Sequence, residues 1–446
     1  MKFLTYLSIL FFLSICSFHC QNLKGRSLAQ ENIIATITSD DESALIDATK
    51  ILWKSGGYIY IDTPVITITK GTVAIHSQKG NDEGGIIGIK QPNGQYPILN
   101  CKPLRKKNTD YSGLLILNDN LKVQNLIIEN APSYGIFVQG KNNIIDHVIT
   151  RYNGESGIYI NFGSDYNTFN YCYSYRNFLM PKMFHNKDGD GFTIEINAYN
   201  NKFNYCFAWD NSKSGFSYYS YSHQSDNTME EFTYSHSASW NNGNIDVFSG
   251  KYDFDNRRKL DKNLLTIQEI LESNKNFETN YNNGIFKLEN AIINNTLATE
   301  LFSNYEENSR GIGGSGFILG SSKTKKILEN RRIADYCVSF DNKLKGFNNN
   351  DSKNFTILFS NCVAFNNNLN YELPYIFTKW SNNWGWGSKE NDKFDLNVDL
   401  HVKTPNDIKS AQKDFYSIRN KIISAVEANT FPDNINFDYV IKGLKE

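Results

Sequence analysis

Residues 188–219 carry most of the side chains in this chain that could do chemistry together. Asp188 and Asp190 are two residues apart, so on a strand both carboxylates project from one face and could hold a cation weakly. Lys213 follows, and then Tyr218 and Tyr219, whose phenols could carry protons or form a stacked aromatic ladder. The sequence shows no Walker loop, no zinc-spaced Cys/His cluster and no apparent Ser-His-Asp constellation. These absences argue against phosphate-loop, zinc and serine-hydrolase chemistry.

A degenerate repeat must position these groups. Gly191-Phe192 and Gly215-Phe216 open similar segments 24 residues apart, and between them Cys206 is followed by Asn211 five positions later. The same spacing recurs at Cys172 and Asn177, Ser237 and Asn242, Cys337 and Asn342, and Cys362 and Asn367, with weaker copies at Val148 and Asn153 and at Asn125 and Asn130.

Each repeat alternates apolar and polar residues at period two, which predicts short strands. Leucine-rich repeats share the period but need regular leucines, and none appear. We therefore expect an all-β fold, a right-handed parallel β-helix in which three short strands form each coil and coils stack about 4.8 Å apart. The Cys206 position then forms an inward column, and the Asn211 position forms an amide ladder.

The chain divides into seven predicted parts. A lysine and a short apolar run indicate a signal peptide over residues 1–20, so the mature protein should be secreted and extracellular, with no membrane span. A leader (21–38) precedes a capping helix (39–57), begun by Ser39 with Glu42 completing a capping box. Coils (58–245), an insertion (246–313), further coils (314–371) and a C-terminal cap (372–446) follow. We expect a monomer with buried free thiols, although Cys172 and Cys206 could be at bridging distance.

Several ordered motifs resemble those of the family 9 polysaccharide lyases, over roughly residues 110–442. They are DGF at 190–192, CxAWxNSxxGF at 206–216, WNNG at 240–243, GSGFxLG at 314–320 and CVAFNNN at 362–368. The resemblance implies a pectin lyase-like right-handed β-helix that acts on acidic polysaccharide such as pectate. It also implies β-elimination assisted by Ca²⁺, which neutralises a uronate carboxylate.

The resemblance places four calcium ligands and a lysine base, and most of these positions are substituted here. Asp190 matches the first ligand, whereas Lys213, Ser214 and Ser217 occupy the other three positions and Ile318 occupies the base position. One carboxylate and two hydroxyls hold calcium poorly. By this mechanism we expect no catalytic residue, one remaining metal ligand (Asp190), and a substrate-binding role for Lys213, Tyr218 and Tyr219.

Three functions remain open. The first is binding of, or action on, acidic polysaccharide with weak or no β-elimination. The second is a metal-independent lyase, in which Lys213 replaces the calcium charge and a base comes from Tyr218, Tyr219, Tyr221, His223 or His236. The third is a structural or adhesive surface protein. Lys213 could instead form a salt bridge with Asp190 in the neighbouring coil. A net charge of −1 gives no basic field for nucleic acid.

Overall fold

The computed structural model describes residues 32–77, 83–106, 111–177, 189–195, 198–219, 231–243, 314–320, 331–349, 356–373, 377–394 and 402–446. The predicted signal peptide, the insertion over 246–313, and the side chains of Asp188, Tyr221 and His223 lie outside these residues. The described part is a solenoid of parallel strands in two sheets, which is the right-handed parallel β-helix predicted from the repeat.

The larger sheet, sheet A, contains eighteen of the described strands. They are β1 (Ile33–Ile37), β2 (Gly57–Ile61), β3 (Val65–Thr67), β5 (Gly84–Gly88), β6 (Ile98–Asn100), β8 (Leu121–Glu129), β10 (Ile144–Arg151), β12 (Thr168–Tyr175), β14 (Asn201–Asn204), β15 (Phe207–Trp209), β17 (Glu231–Ser235), β18 (Ala238–Trp240), β20 (Arg331–Asp335), β21 (Val338–Phe340), β23 (Thr356–Ser360), β24 (Val363–Phe365), β26 (Phe377–Ser381) and β27 (Trp384–Trp386).

The smaller sheet, sheet B, contains ten described strands that stack in chain order. They are β4 (Val73–Ile75), β7 (Leu114–Ile116), β9 (Ile136–Val138), β11 (Ile158–Ile160), β13 (Phe192–Glu195), β16 (Phe216–Tyr219), β19 (Phe317–Ile318), β22 (Lys345–Asn348), β25 (Leu369–Leu373) and β28 (Lys393–Phe394). Each strand between β4 and β28 pairs in parallel with the strand one coil earlier and one coil later, as in the register of Ile158 with Ile136 and with Phe192.

A residue with left-handed backbone recurs in the long strand of sheet A, and the earlier coils have it at Asn125, His147 and Tyr171, where the strand stays continuous. From β14 onward the long strand of sheet A is divided in two at this residue, which precedes the Cys206 position. The dividing residues are Tyr205, His236, Tyr336, Asn361 and Asn382, with φ from 51° to 56°. A positive φ is uncommon outside glycine, so its repetition at one position shows that the bend belongs to the coil geometry.

The inward column and the amide ladder both form as predicted. Cys172, Cys206, Cys337 and Cys362 are fully buried free thiols in the core. Burial raises the pKa of the Cys172 thiol. In the ladder the amide Nδ2 of each Asn donates to Oδ1 of the Asn one coil later, from Asn153 through Asn177, Asn211, Asn242 and Asn342 to Asn367, over 2.9–3.0 Å.

The weakest predicted repeat, Asn125 with Asn130, is wrong by one residue. Leu126 pairs with Val148 in the inward column, and it is Ala131 whose amide donates to Asn153 Oδ1 at 3.0 Å. Asn125 instead has the left-handed backbone of the preceding position, with φ of 58°. An Asn pair at the right spacing was mistaken for the ladder because Asn also suits left-handed turns.

Helix α1 (Glu42–Ser55) lies at the start of the solenoid and packs Leu45 and Leu52 into the core. Its N-cap is Asp41, whose Oδ1 accepts from the Ala44 amide at 3.0 Å, and not the predicted Ser39. The side chain of Glu42 is directed away from the helix, because it accepts from the amides of Thr69 and Lys70. This carboxylate therefore ties the helix to the strands rather than capping it.

Helices α2 (Ile408–Glu427) and α3 (Asp438–Gly443) form a C-terminal strap, residues 404–446, on the outer face of sheet A. Phe415 of α2 packs 5.4 Å from Phe365, Glu427 pairs with Arg176 at 3.1 Å, and the Asn429 carbonyl accepts from the Tyr96 amide. These contacts run back along the side of the solenoid, whereas we expected a cap over its far end. The strap lies there because an apolar ladder, including Trp209, needs cover.

No helix among the described residues is both long enough and apolar enough to cross a bilayer.

Candidate functional site

The outer face of sheet B is fixed by an inward stack of phenylalanines. Phe192, Phe216 and Phe317 are fully buried, with ring centroids 4.7 and 4.6 Å apart along the stack. Successive residues of a strand point to opposite faces. Thr193 and Ser217, which pair in register, therefore form an outer column that Ile318 continues.

The glycines before these phenylalanines allow the coils to stack at the entry to sheet B. A Cβ on Gly215 would lie 1.9 Å from Ser239 Oγ and 2.9 Å from the Gly316 carbonyl oxygen, so a larger residue would force the stacked coils to shift. The Gly-Phe pair thus sets the start of each strand, and with it the position of Asp190 just before β13.

Asp190 is fully buried and its carboxylate is held on several sides. Oδ1 accepts from the Ser214 amide at 2.8 Å. Oδ2 accepts from the Thr193 hydroxyl at 3.2 Å and lies 3.4 Å from Lys213 Nζ. The Asp190 amide in turn donates to Ser156 Oγ at 3.3 Å. The carboxylate therefore belongs to an internal polar network that reaches Ser156 in the preceding coil and Lys213 and Ser214 in the following coil.

Burial and the neighbouring groups act on this carboxyl in opposite directions. Desolvation raises the pKa of Asp190 above its ordinary value, while the Lys213 ammonium, the Ser214 amide and the Thr193 hydroxyl oppose the increase. The Lys213 side chain is only 7% exposed, so this ion pair is shielded from water. The salt bridge weighed from the sequence is thus present between neighbouring coils.

The residues that the structure describes here do not fit a calcium ion. Among them, no three His, Cys, Asp or Glu side chains are grouped so as to bind a metal. Asp190 is the single carboxylate of its network, an ammonium lies against it, and the buried Ser214 Oγ has no hydrogen-bond partner among the described residues. Calcium needs six or more oxygen ligands, several of them charged.

The position of the expected base is occupied by a side chain that cannot carry a proton. Phe317 pairs with Phe216, which places Ile318 beside Ser217 in the next coil. Ile318 is 8% exposed. The column that would present a lysine to a substrate therefore presents a hydrocarbon at this point.

Tyr218 does not lie where a substrate-binding residue was expected. It has the same parity as Phe216, so its ring enters the core, where it is 6% exposed and lies 4.9 Å from the Arg332 guanidinium. This position does not suit the expected substrate-binding role, because the inward Phe216 sets the parity of β16 and places Tyr218 in the core. The backbone of Tyr219 pairs in register with Glu195, and its side chain lies outside the described part of the structure.

His236, a candidate base from the sequence, lies on a different side of the molecule. It stacks between Tyr205 and Tyr336 at the bend of sheet A, and its Nε2 is 3.1 Å from Asp438 Oδ2 of the strap. It therefore contributes to holding α3 and takes no part in the outer face of sheet B.

A tyrosine that the sequence did not single out lies on this face. The Tyr159 hydroxyl donates to Glu195 Oε1 at 2.5 Å, and Tyr159 pairs in register with Thr193. Its ring stacks with Tyr134 and Phe137 at 4.3 and 5.2 Å. The two partners are 36 residues apart in sequence, so only the stacking of coils brings them together.

Known proteins share this architecture. The chain is similar to pectate lyase Pel9A, with a TM-score of 0.51 and 19% identity over 81% of this chain and 74% of that chain. It is also similar to a rhamnogalacturonan lyase, with a TM-score of 0.55 and 15% identity over 92% of this chain and 98% of that chain. A comparison with curated proteins finds no match.

These structural likenesses show the fold, which is that of a polysaccharide lyase-like β-helix. A family model described as the Pel9A-like, right-handed β-helix region matches residues 30–259, which is more than half of the 446 residues. The chain therefore belongs to the Pel9A-like right-handed β-helix family.

Proposed function

We propose that this chain is a secreted protein that binds acidic polysaccharide along the outer face of sheet B, with weak or no calcium-dependent β-elimination. The observation that carries the proposal is the ion pair between Lys213 and Asp190, with Nζ 3.4 Å from Oδ2. An internal cation satisfies the carboxylate that would otherwise be a metal ligand.

The loss of calcium chemistry follows from charge. A divalent ion at Asp190 would have to displace the Lys213 ammonium and would find one carboxylate, with hydroxyl oxygens from Thr193 and Ser156 nearby. The competing ammonium makes cation binding less favourable still. Ile318 cannot supply the proton transfer that the family mechanism needs, a contribution of about 10²–10⁴-fold in rate.

Retention of a polysaccharide ligand is supported by the shared fold and by the chemistry of this face. Two proteins with the same architecture are named as lyases of pectate and rhamnogalacturonan. The outer face carries stacked rings at Tyr134, Phe137 and Tyr159, of which Phe137 is half-buried. Aromatic rings and hydrogen-bonding groups on a long parallel sheet suit an extended sugar chain.

The test is titration of the purified chain with polygalacturonate by calorimetry, in calcium and in chelator, with absorbance of the unsaturated product followed in the same samples. We expect binding of equal strength in both buffers and no calcium-dependent product. Phe137→Ala should weaken binding about tenfold, the equivalent of 1.4 kcal/mol, because its ring is half-buried on this face. Tyr439→Ala is the matched control, because Tyr439 is an exposed aromatic residue on the strap.

Two results would contradict the proposal. Calcium-dependent product would show that a metal site operates despite the substitutions. Absence of binding to polygalacturonate and to rhamnogalacturonan would favour a structural or adhesive protein that keeps only the scaffold.

A further inference from the structure

The outer column of sheet B contains the Tyr159 phenol, which is hydrogen-bonded to the Glu195 carboxylate. Along the column, Tyr159 and Ile318 lie on opposite sides of the Lys213–Asp190 ion pair. Tyr159 pairs in register with Thr193, Thr193 with Ser217, and Ser217 lies beside Ile318. Three coil spacings therefore separate Tyr159 from Ile318, or about 14 Å. Asp190 and Lys213 belong to the two coils between them.

This arrangement is symmetric about the charged pair. The lost base position is one coil beyond the coil of Lys213, and Tyr159 is one coil before the coil of Asp190. A sugar chain lying along the column would therefore extend past Tyr159 in one direction and past Ile318 in the other. Thr193 connects the charged pair to Tyr159, since its hydroxyl donates to Asp190 and its strand pairs with that of Tyr159.

The phenol is held in one position by several contacts. Its hydroxyl donates to Glu195 Oε1 at 2.5 Å, and its ring is stacked between neighbours, with Tyr134 at 4.3 Å. Tyr159 and Glu195 are each 8% exposed. Because of this short hydrogen bond, the Glu195 carboxylate can accept the phenolic proton while the phenolic oxygen takes up a proton from a substrate.

We propose that Tyr159 and Glu195 are a proton-accepting pair for a slow, calcium-independent β-elimination on a uronate polymer. The inference rests on the proposed function, because it requires the polymer to bind on this face.

The step balances with the groups named. The Tyr159 oxygen takes the proton on the carbon α to the uronate carboxyl as its own proton passes to Glu195. The C–H electron pair becomes the new C=C bond and the glycosidic C–O bond breaks. The leaving oxygen takes a proton from water, and Glu195 returns its proton to solvent.

The experiment is a long incubation of the full chain with polygalacturonate in chelator, with absorbance of the unsaturated product and calorimetric binding measured for each variant. We expect slow product from the natural chain. Tyr159→Phe, which keeps the stacked ring, and Glu195→Gln should each reduce the rate by about 10²-fold or more. Both variants should bind the polymer within about threefold of the natural chain.

Tyr173→Phe is the matched control. Its hydroxyl is buried on sheet A, without a hydrogen-bond partner among the described residues, and its ring stacks on Phe207. This variant should form product at the natural rate. Thermal midpoints of all variants within about 3 °C would show that the fold is intact.

The possible failures are distinct. Binding without product in the natural chain would overturn the inference and leave the proposed function standing. Product that survives Tyr159→Phe would also overturn it. Absence of binding would remove the proposed function, and with it the basis of this step.

Discussion

Lys213 of one coil lies against Asp190 of the preceding coil, with Nζ 3.4 Å from Oδ2 and both side chains nearly inaccessible to water. The Ser214 amide, from the same turn as Lys213, donates to the other carboxylate oxygen at 2.8 Å. One turn therefore supplies both a positive charge and a hydrogen bond to the carboxylate. The pair does the work that a bound cation would otherwise do in stabilising a buried charge.

Removal of the ammonium should destabilise the fold in a pH-dependent manner. In Lys213→Met the Asp190 carboxylate is buried without its cation, and the expected loss of unfolding free energy is about 3–5 kcal/mol at pH 8. Desolvation already raises the pKa of Asp190 in the folded state, and without Lys213 it should rise further. A folded-state pKa above the unfolded value means that stability falls as pH rises through the window between them.

The difference between the natural chain and Lys213→Met should therefore be small near pH 4 and increase toward pH 8. Urea unfolding at a series of pH values measures it. The double variant Asp190→Asn with Lys213→Met should lose less than the sum of the single variants. A pH-independent difference would show that the carboxylate does not depend on this ammonium.

The amide ladder should be costly to interrupt. Asn211 is fully buried, accepts from Asn177 Nδ2 at 3.0 Å and donates to Asn242 Oδ1 at 3.0 Å. Asn211→Ala leaves partners on both sides unsatisfied, at about 1–3 kcal/mol for each buried group. Urea unfolding should show a loss of at least about 2 kcal/mol, compared with less than about 0.5 kcal/mol for Asn406→Ala at an exposed position. Equal losses would contradict the ladder's role.

The strap should stabilise the solenoid through one aromatic contact in particular. Phe415 is fully buried and lies 5.4 Å from Phe365 and 5.8 Å from Phe437. Phe415→Ala should reduce the unfolding free energy by about 3–5 kcal/mol. Ile408→Ala, on the same helix but 38% exposed, is the control and should cost less than about 1 kcal/mol. Urea unfolding measures both losses, and equal losses in the two variants would contradict the role of this contact.

The sequence was sufficient for the features that repeat in every coil. The spacing from Cys206 to Asn211 identified the inward column and the ladder, because stacked coils place equivalent residues above each other. The departure of Lys213, Ser214 and Ser217 from the ligand set that the family resemblance implies could also be read from the sequence, since the flanking motif is kept.

Features that depend on contacts between different coils were not visible. The pairing of Tyr159 with Glu195 arises through the stacking of coils and leaves no local pattern in the sequence. The inward position of Tyr218 is a different case, because Phe216, two residues earlier, sets its parity within the strand. The amphipathic α2 could be predicted as a helix, but the surface it covers follows from the aromatic ladder of sheet A.

Calcium titration of the natural chain beside the variant Lys213→Asp/Ser214→Asp/Ser217→Asp tests the central claim most directly. The variant places four carboxylates where the family's ligands are expected, so calcium should bind it and raise its unfolding free energy, by about 2.7 kcal/mol at a hundredfold excess over Kd. The natural chain should show neither calorimetric binding nor a shift in thermal midpoint. Calcium binding by the natural chain as tight as that of the variant would contradict the replacement of the metal by Lys213.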